Sequence, residues 1–222
     1  MDVKRFKVLL LLLVVSLFVL IFTAGCGQTG NEETATPSGP EELTAETLAS
    51  YNSIFEPIVT DEQGNTDASE ISCFFTSYYD KPENIDLVKF LKYCPVGTLV
   101  EDEEEYQAIK AISGDENMPD DLKDYPTPIH KFAKTDVDAL LSKYAGVTTS
   151  DLNGIPEGNT ELVYVDETNA YYNFTSDFGP GSFEAVSGEK NGNIITLKDD
   201  RGRTLILEET GDGFLIKAFT LE

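Results

Sequence analysis

Side chains able to do covalent or metal chemistry are few in this chain, which has three cysteines, one histidine and no tryptophan. Cys73 and Cys94 sit in strongly apolar surroundings, Ile71-Ser72-Cys73-Phe74-Phe75 and Lys92-Tyr93-Cys94-Pro95. Two such residues fit either a single disulfide or a pair of buried free thiols. His130 would complete a Cys-His dyad only if the fold carried a thiol to it. A loop histidine close to Pro128 is the expected role. One histidine and two widely spaced cysteines do not make a zinc site. Carboxylates are the opposite case: 40 Asp and Glu suffice for a paired-carboxylate hydrolase, and are too many to single out a pair. Asp61, Asn65 and Asp67 offer oxygen ligands in a Gly-containing loop, but their spacing is not that of an EF-hand. Asp199-Asp200 and Asp212 fall at turns, where aspartate is favoured for backbone reasons. No metal or cofactor is expected. Tyr171, Tyr172, Phe174, Phe178 and Phe183 surround Asp177 and the turn Gly179-Pro180-Gly181. They would suit a sugar- or peptide-binding surface, although strand alternation, with Tyr172 and Phe174 on one face and Tyr171 opposite, also fits core packing.

The third cysteine, Cys26, stands in a different context. Lys4, Arg5 and Lys7 precede an apolar run from Val8 to Phe22, and Thr23-Ala24-Gly25 leads into Cys26. A charged n-region, an apolar h-region and small residues form the layout of a cleavable export signal. At about 1.5 Å per residue, the apolar run reaches roughly 22 Å, short of a hydrocarbon core of about 30 Å. Thr23-Ala24-Gly25-Cys26 resembles the lipobox of bacterial lipoproteins, with Thr23 where leucine is usual. That resemblance implies removal of residues 1–25 and a diacylglycerol on the Cys26 sulfur. Two acyl chains hold a protein on a bilayer where one does not. The basic start stays inside, so the bulk of the chain is exported. The wider layout is similar to uncharacterised surface lipoproteins of Gram-positive bacteria, which implies the outer face of the cell membrane and no particular activity.

Elements able to position these residues follow from the pattern. Gly27 to Pro40 is polar and lacks apolar periodicity, so residues 26–40 read as a flexible tether. Within a single exported domain, 41–222, residues 41–150 predict helices. The first spans 43–58, capped by Thr44, and a loop over 60–69 follows. Ile71–Tyr79 fits a strand or a buried helical turn. Asp86 caps a helix through Tyr93, and Glu103–Ile112 is another, its acidic start suiting the helix dipole. The last is capped by Thr135, with Asp138 in the capping box and Gly146 as its stop. From 160 to 222 the period shortens. Six β-rich runs, the later ones separated by Asn191-Gly192, Arg201-Gly202 and Gly211-Asp212-Gly213, predict an antiparallel meander of five or six strands. The expected class is α+β: a helical N-terminal half, then a sheet with helices packed on one face.

Charge narrows the partners. The chain carries 16 Lys+Arg against 40 Asp+Glu, a net charge of −24. Residues 1–25 hold three of the bases and one acid, so the exported part is more acidic still. Nucleic acid and anionic lipid are bound through Lys and Arg, and such a chain repels both. The expectation is a non-enzymatic, lipid-anchored module that binds a protein, peptide or glycan of the cell envelope. A cell-envelope hydrolase using paired carboxylates is the alternative.

Overall fold

A computed structural model describes residues 39–174 and 179–222; the signal-like segment, Cys26, Asp177 and Phe178 lie outside them. Local signals set most helix ends. After β1 (Glu41–Glu42) comes α1 (Ala45–Ile54), where Thr44 Oγ1 accepts the Thr47 amide at 3.2 Å. The helix ends at Phe55, because Pro57 disfavours helical geometry at the residue before it. Ile58 therefore starts a strand, and the expected loop is a hairpin of β2 (Ile58–Thr60) and β3 (Thr66–Ala68). Glu70–Phe75 is a 3-10 helix in which Ile71 to Phe75 are all buried. Asp86 caps α2 (Leu87–Lys92) and Asp102 caps α3 (Glu103–Ser113). Tyr106 and Ile109 of α3 face inward, while Ile112 is exposed.

Short β4 (Thr98–Leu99) and β5 (His130–Ala133) precede α4 (Lys134–Ala145). Thr135 does not cap α4. Ala133 pairs with Ala170 and the Lys134 amide donates to Asn169 O, so the chain passes from strand to helix before Thr135. Asp138 accepts instead from Lys134 Nζ at 2.6 Å, and from the amide and hydroxyl of Thr149. Gly146 ends the helix at φ +72°, as a C′ glycine should.

The remaining strands are β6 (Leu162–Val165), β7 (Ala170–Asn173), β8 (Ser187–Asn191), β9 (Ile194–Lys198), β10 (Arg203–Thr210) and β11 (Gly213–Leu221). They build two larger antiparallel sheets, one ordered β1-β8-β9-β10-β11 and one ordered β4-β5-β7-β6. The fold is α+β, but the N-terminal half is not helical: one strand precedes its helices and four interrupt them. Nor do all the late runs join one meander. Only β8 to β11 do, whereas β6 pairs with β7, and β7 pairs with β5 of the first half.

Helices do not lie on one face only. The four-stranded sheet separates two cores, and its side chains alternate between them. Phe132, Leu162 and Tyr171 enter a large core shared with α2, α4 and the five-stranded sheet. Ile129, Val165, Ala170 and Tyr172 face a smaller core closed by Tyr106 and Ile109 of α3. In the five-stranded sheet a bulge in the β10–β11 ladder shifts the register between Ile206 and Leu207. The extra residue lets Ile216 and Phe219, three apart, both point inward.

Candidate functional site

The inner face of the β9–β10 hairpin carries Ile195, Leu197, Leu205 and Leu207, all buried. Alternation extends this face to Asp199 and Arg203 at the turn, and both are buried there. Arg203 Nε donates to Asp199 Oδ2 at 2.5 Å, and Nη1 donates to Ser182 O at 2.7 Å. Asp199 Oδ1 accepts the amides of Arg201 and Arg203 at 2.9 and 2.8 Å. Burial alone would push the Asp199 carboxyl up. The backbone and side-chain hydrogen bonds from Arg203, with that of the Arg201 amide, outweigh it and hold the group below the usual carboxylate value. The guanidinium carbon lies 5.8 and 5.5 Å from the ring centres of Phe183 and Phe219, a cation–π setting. Of the five donors of a guanidinium, two meet acceptors among the described residues.

This ion pair borders a cleft of about 530 Å³, within the range of small-ligand sites. One wall is the end of α1, with Asn52 and Ser53, and its continuation through Phe55 and Glu56; the opposite wall is Ser182 to Glu184; Asp199 to Arg203 closes the end. Asn52 ties the walls together. Its Oδ1 accepts the Ala185 amide at 2.7 Å and its Nδ2 donates to Ala185 O at 3.0 Å. Gly181 allows the second wall to stand where it does. A Cβ there would lie 2.4 Å from the carbonyl carbon of Phe75 and 2.6 Å from the oxygens of Phe75 and Ser72. The glycine is required by close approach to the 3-10 helix, beyond the turn expected of Gly179-Pro180-Gly181.

The aromatic residues proposed from sequence do not form one surface. Tyr171 is buried in the large core beside Tyr164, and Tyr172 is buried in the small one. Phe174 is half-buried against Tyr125. Phe183 is buried too, but it lines the cleft. Strand alternation sends consecutive tyrosines to opposite cores, which is why no shared face results. Tyr172 donates instead to Glu105, which also pairs with Lys131 at 2.6 Å.

Other candidates resolve into structure. His130 is half-buried on β5, opposite Leu99 and Asn173, and burial depresses its pKa. Asp61 is occupied by its own turn: it accepts the amides of Gln63 and Asn65 and the Asn65 side chain, each at 2.8 Å. Asp67 accepts the Ala68 amide. Cys73 and Cys94 are buried free thiols. Among the described residues no cluster of three or more His, Cys, Asp or Glu could hold a metal ion, and no helix is long and apolar enough to cross a membrane.

Together the fold and the cleft define an α+β protein with a charged, aromatic-backed recess between a helix end and the β9–β10 turn. Comparison with known proteins adds no name to that description: no family model, curated protein or solved structure matches the chain. The recess and its residues carry the functional reading.

Proposed function

We propose that this protein is a lipid-anchored extracytoplasmic binding module whose cleft takes a peptide or glycan segment of the cell envelope. The carrying observation is the recess over Arg203. There a guanidinium backed by two aromatic rings has, among the described residues, donors beyond those used by Asp199 and Ser182. Ser53, Asn52 and Glu184 add polar groups to the lining. Oxygen-rich ligands suit such a site, because hydroxyls and carbonyls accept from Arg and Asn while apolar ring or side-chain faces pack on Phe. Cys26 supplies the anchor and residues 26–40 the reach. In the alternative hydrolase reading Asp199, whose pKa is displaced downwards, could not serve as the general acid.

Two experiments test the reading. Purified protein is titrated with a panel of cell-wall glycan fragments and envelope-derived peptides, with Ser53→Trp as the blocked form. Ser53 is exposed on the cleft wall, so the indole should fill the recess while Asp199 and Arg203 stay unsubstituted. Binding that survives Ser53→Trp unchanged rules out the cleft as the site. The anchor is tested by metabolic labelling with an alkyne fatty acid and detergent-phase partition. Wild type should carry label and enter the detergent phase; a Cys26→Ala chain that does both would refute lipidation.

A further inference from the structure

The cleft beside Arg203 carries charges of both signs, and they do not cancel. Four carboxylates and two guanidiniums line it: Glu56, Glu184, Asp199 and Asp200 against Arg201 and Arg203. Asp199 is taken up by Arg203 at 2.5 Å, and Asp200 stands 4.0 Å from Arg201, both well exposed. Glu56 continues the α1 wall and Glu184 belongs to the wall opposite; both are exposed, and no described base pairs with either. A third source of negative potential is α1 itself. Its last turn supplies Asn52 and Ser53 to the lining. The final carbonyls of a helix carry partial negative charge, and no basic residue stands in that turn to offset it.

An arginine in a recess ordinarily suggests an anionic ligand. Here the balance is against one. A ligand carboxylate or phosphate would meet a guanidinium already shared with Asp199, and would face two further carboxylates in a chain of net charge −24. A primary ammonium suits both walls and the helix end. Arg203, at 9% exposure, then serves a neutral acceptor such as a peptide carbonyl, and Phe183 and Pro57 offer apolar surface to methylene groups. A neutral glycan has no group to answer the carboxylates. Taking the cleft as the binding site, we infer that its ligand is an amine-bearing peptide: the ammonium of a lysine-type side chain lies between Glu56 and Glu184, and a backbone carbonyl accepts from Arg203.

Full-length protein in uncharged detergent is mixed with three probes and followed by saturation-transfer NMR, which reads weak binding. The probes are the N-acetylated, amidated tripeptide Ala-Lys-Ala, the same peptide acetylated on its lysine side chain, and a neutral N-acetylglucosamine tetramer. The lysine peptide should bind, and side-chain acetylation should weaken it about tenfold, since each exposed ion pair contributes up to about fivefold. Glu56→Gln combined with Glu184→Gln should bring the two peptides level, and added salt should weaken the lysine peptide alone. Both exchanges are isosteric and on exposed side chains, and an unchanged circular dichroism spectrum verifies the fold. Equal affinity for the two peptides in wild type, undiminished lysine-peptide binding in the double variant, or no lysine-peptide signal overturns the inference. Binding of the tetramer alone overturns it too. If Ser53→Trp abolishes that binding, the cleft stands as the site and only its ligand class is wrong; if Ser53→Trp leaves it unchanged, the cleft reading falls as well.

Discussion

Arg203→Met tests the cleft's charged edge most directly. It removes the cation beside Asp199, whose side chain is 1% exposed against 11% for Arg203, so water cannot replace the lost partner. Breaking a buried pair by removing one member costs about 3–5 kcal/mol. Asp199 keeps the two backbone amides of Arg201 and Arg203, which puts the expected loss at the lower end, about 3 kcal/mol at neutral pH. Asp199→Asn strands the guanidinium against Ser182 O and two rings, at a cost of about the same size. The double variant buries neither charge, so its loss should fall short of the sum by about 2 kcal/mol. The pH dependence has a defined sign. The folded pKa of Asp199 lies below its unfolded value. Stabilisation from the pair is thus complete above the unfolded carboxyl value, about 3.9, and is lost as pH falls through the folded one. In Arg203→Met, burial pushes the carboxyl up instead, so the penalty is largest at neutral pH and shrinks on acidification. The gap between wild type and variant should narrow from neutral pH towards pH 4. Urea unfolding of residues 39–222, the compact unit holding both cores, gives these values by far-ultraviolet circular dichroism, which suits a chain without tryptophan. A loss under about 1 kcal/mol, or a strictly additive double variant, would show that the pair is not a buried, coupled one.

Two further outcomes follow from the same geometry. Gly181→Ala must displace backbone atoms 2.4 to 2.6 Å away and should cost at least about 2 kcal/mol. Gly192→Ala, at φ +63° in open space, should cost only about 1 kcal/mol; equal losses in the two melts would refute the close-approach argument. Asn52→Ala removes both bonds to Ala185, worth about 1 kcal/mol net each, and should speed hydrogen exchange at the Ala185 amide; unaltered protection would mean that Asn52 does not clamp the walls.

Local signals were readable from the sequence because the atoms that satisfy them are a few residues away. Thr44, Asp86 and Gly146 perform the roles their types and positions suggest, since a cap or a left-handed stop is completed within a turn. Thr135 shows the limit of that logic. Its helix starts early because Ala133 is held in a ladder with Ala170, a contact no local pattern contains. The same holds for β6 and β7. Their alternation was visible, but β5, the partner of β7, lies about forty residues upstream, and hairpin turns speak only for adjacent strands. Gly181 resembled a turn glycine. Its actual reason, the backbone of Ser72 and Phe75, is again remote in sequence.

The ion pair is a different kind of miss, because its signal was present. Ile195, Leu197, Asp199, Arg203, Leu205 and Leu207 share one parity across the hairpin, so the period that buries the leucines also buries the two charges. A turn aspartate has a sufficient local explanation, and Asp199 does accept turn amides. That explanation hides the side-chain role. Stability does not call for such a pair: well-packed apolar residues of similar volume often serve as well or better. An arginine held inward at the end of the β9–β10 hairpin, in a chain of net charge −24, fits the proposed binding role of the cleft better than a purely stabilising one. Asp199 and the rings of Phe183 and Phe219 fix the guanidinium in place, so under the proposed function it would be held in position before a ligand arrives. Preorganisation of this kind lowers the entropy that binding must overcome.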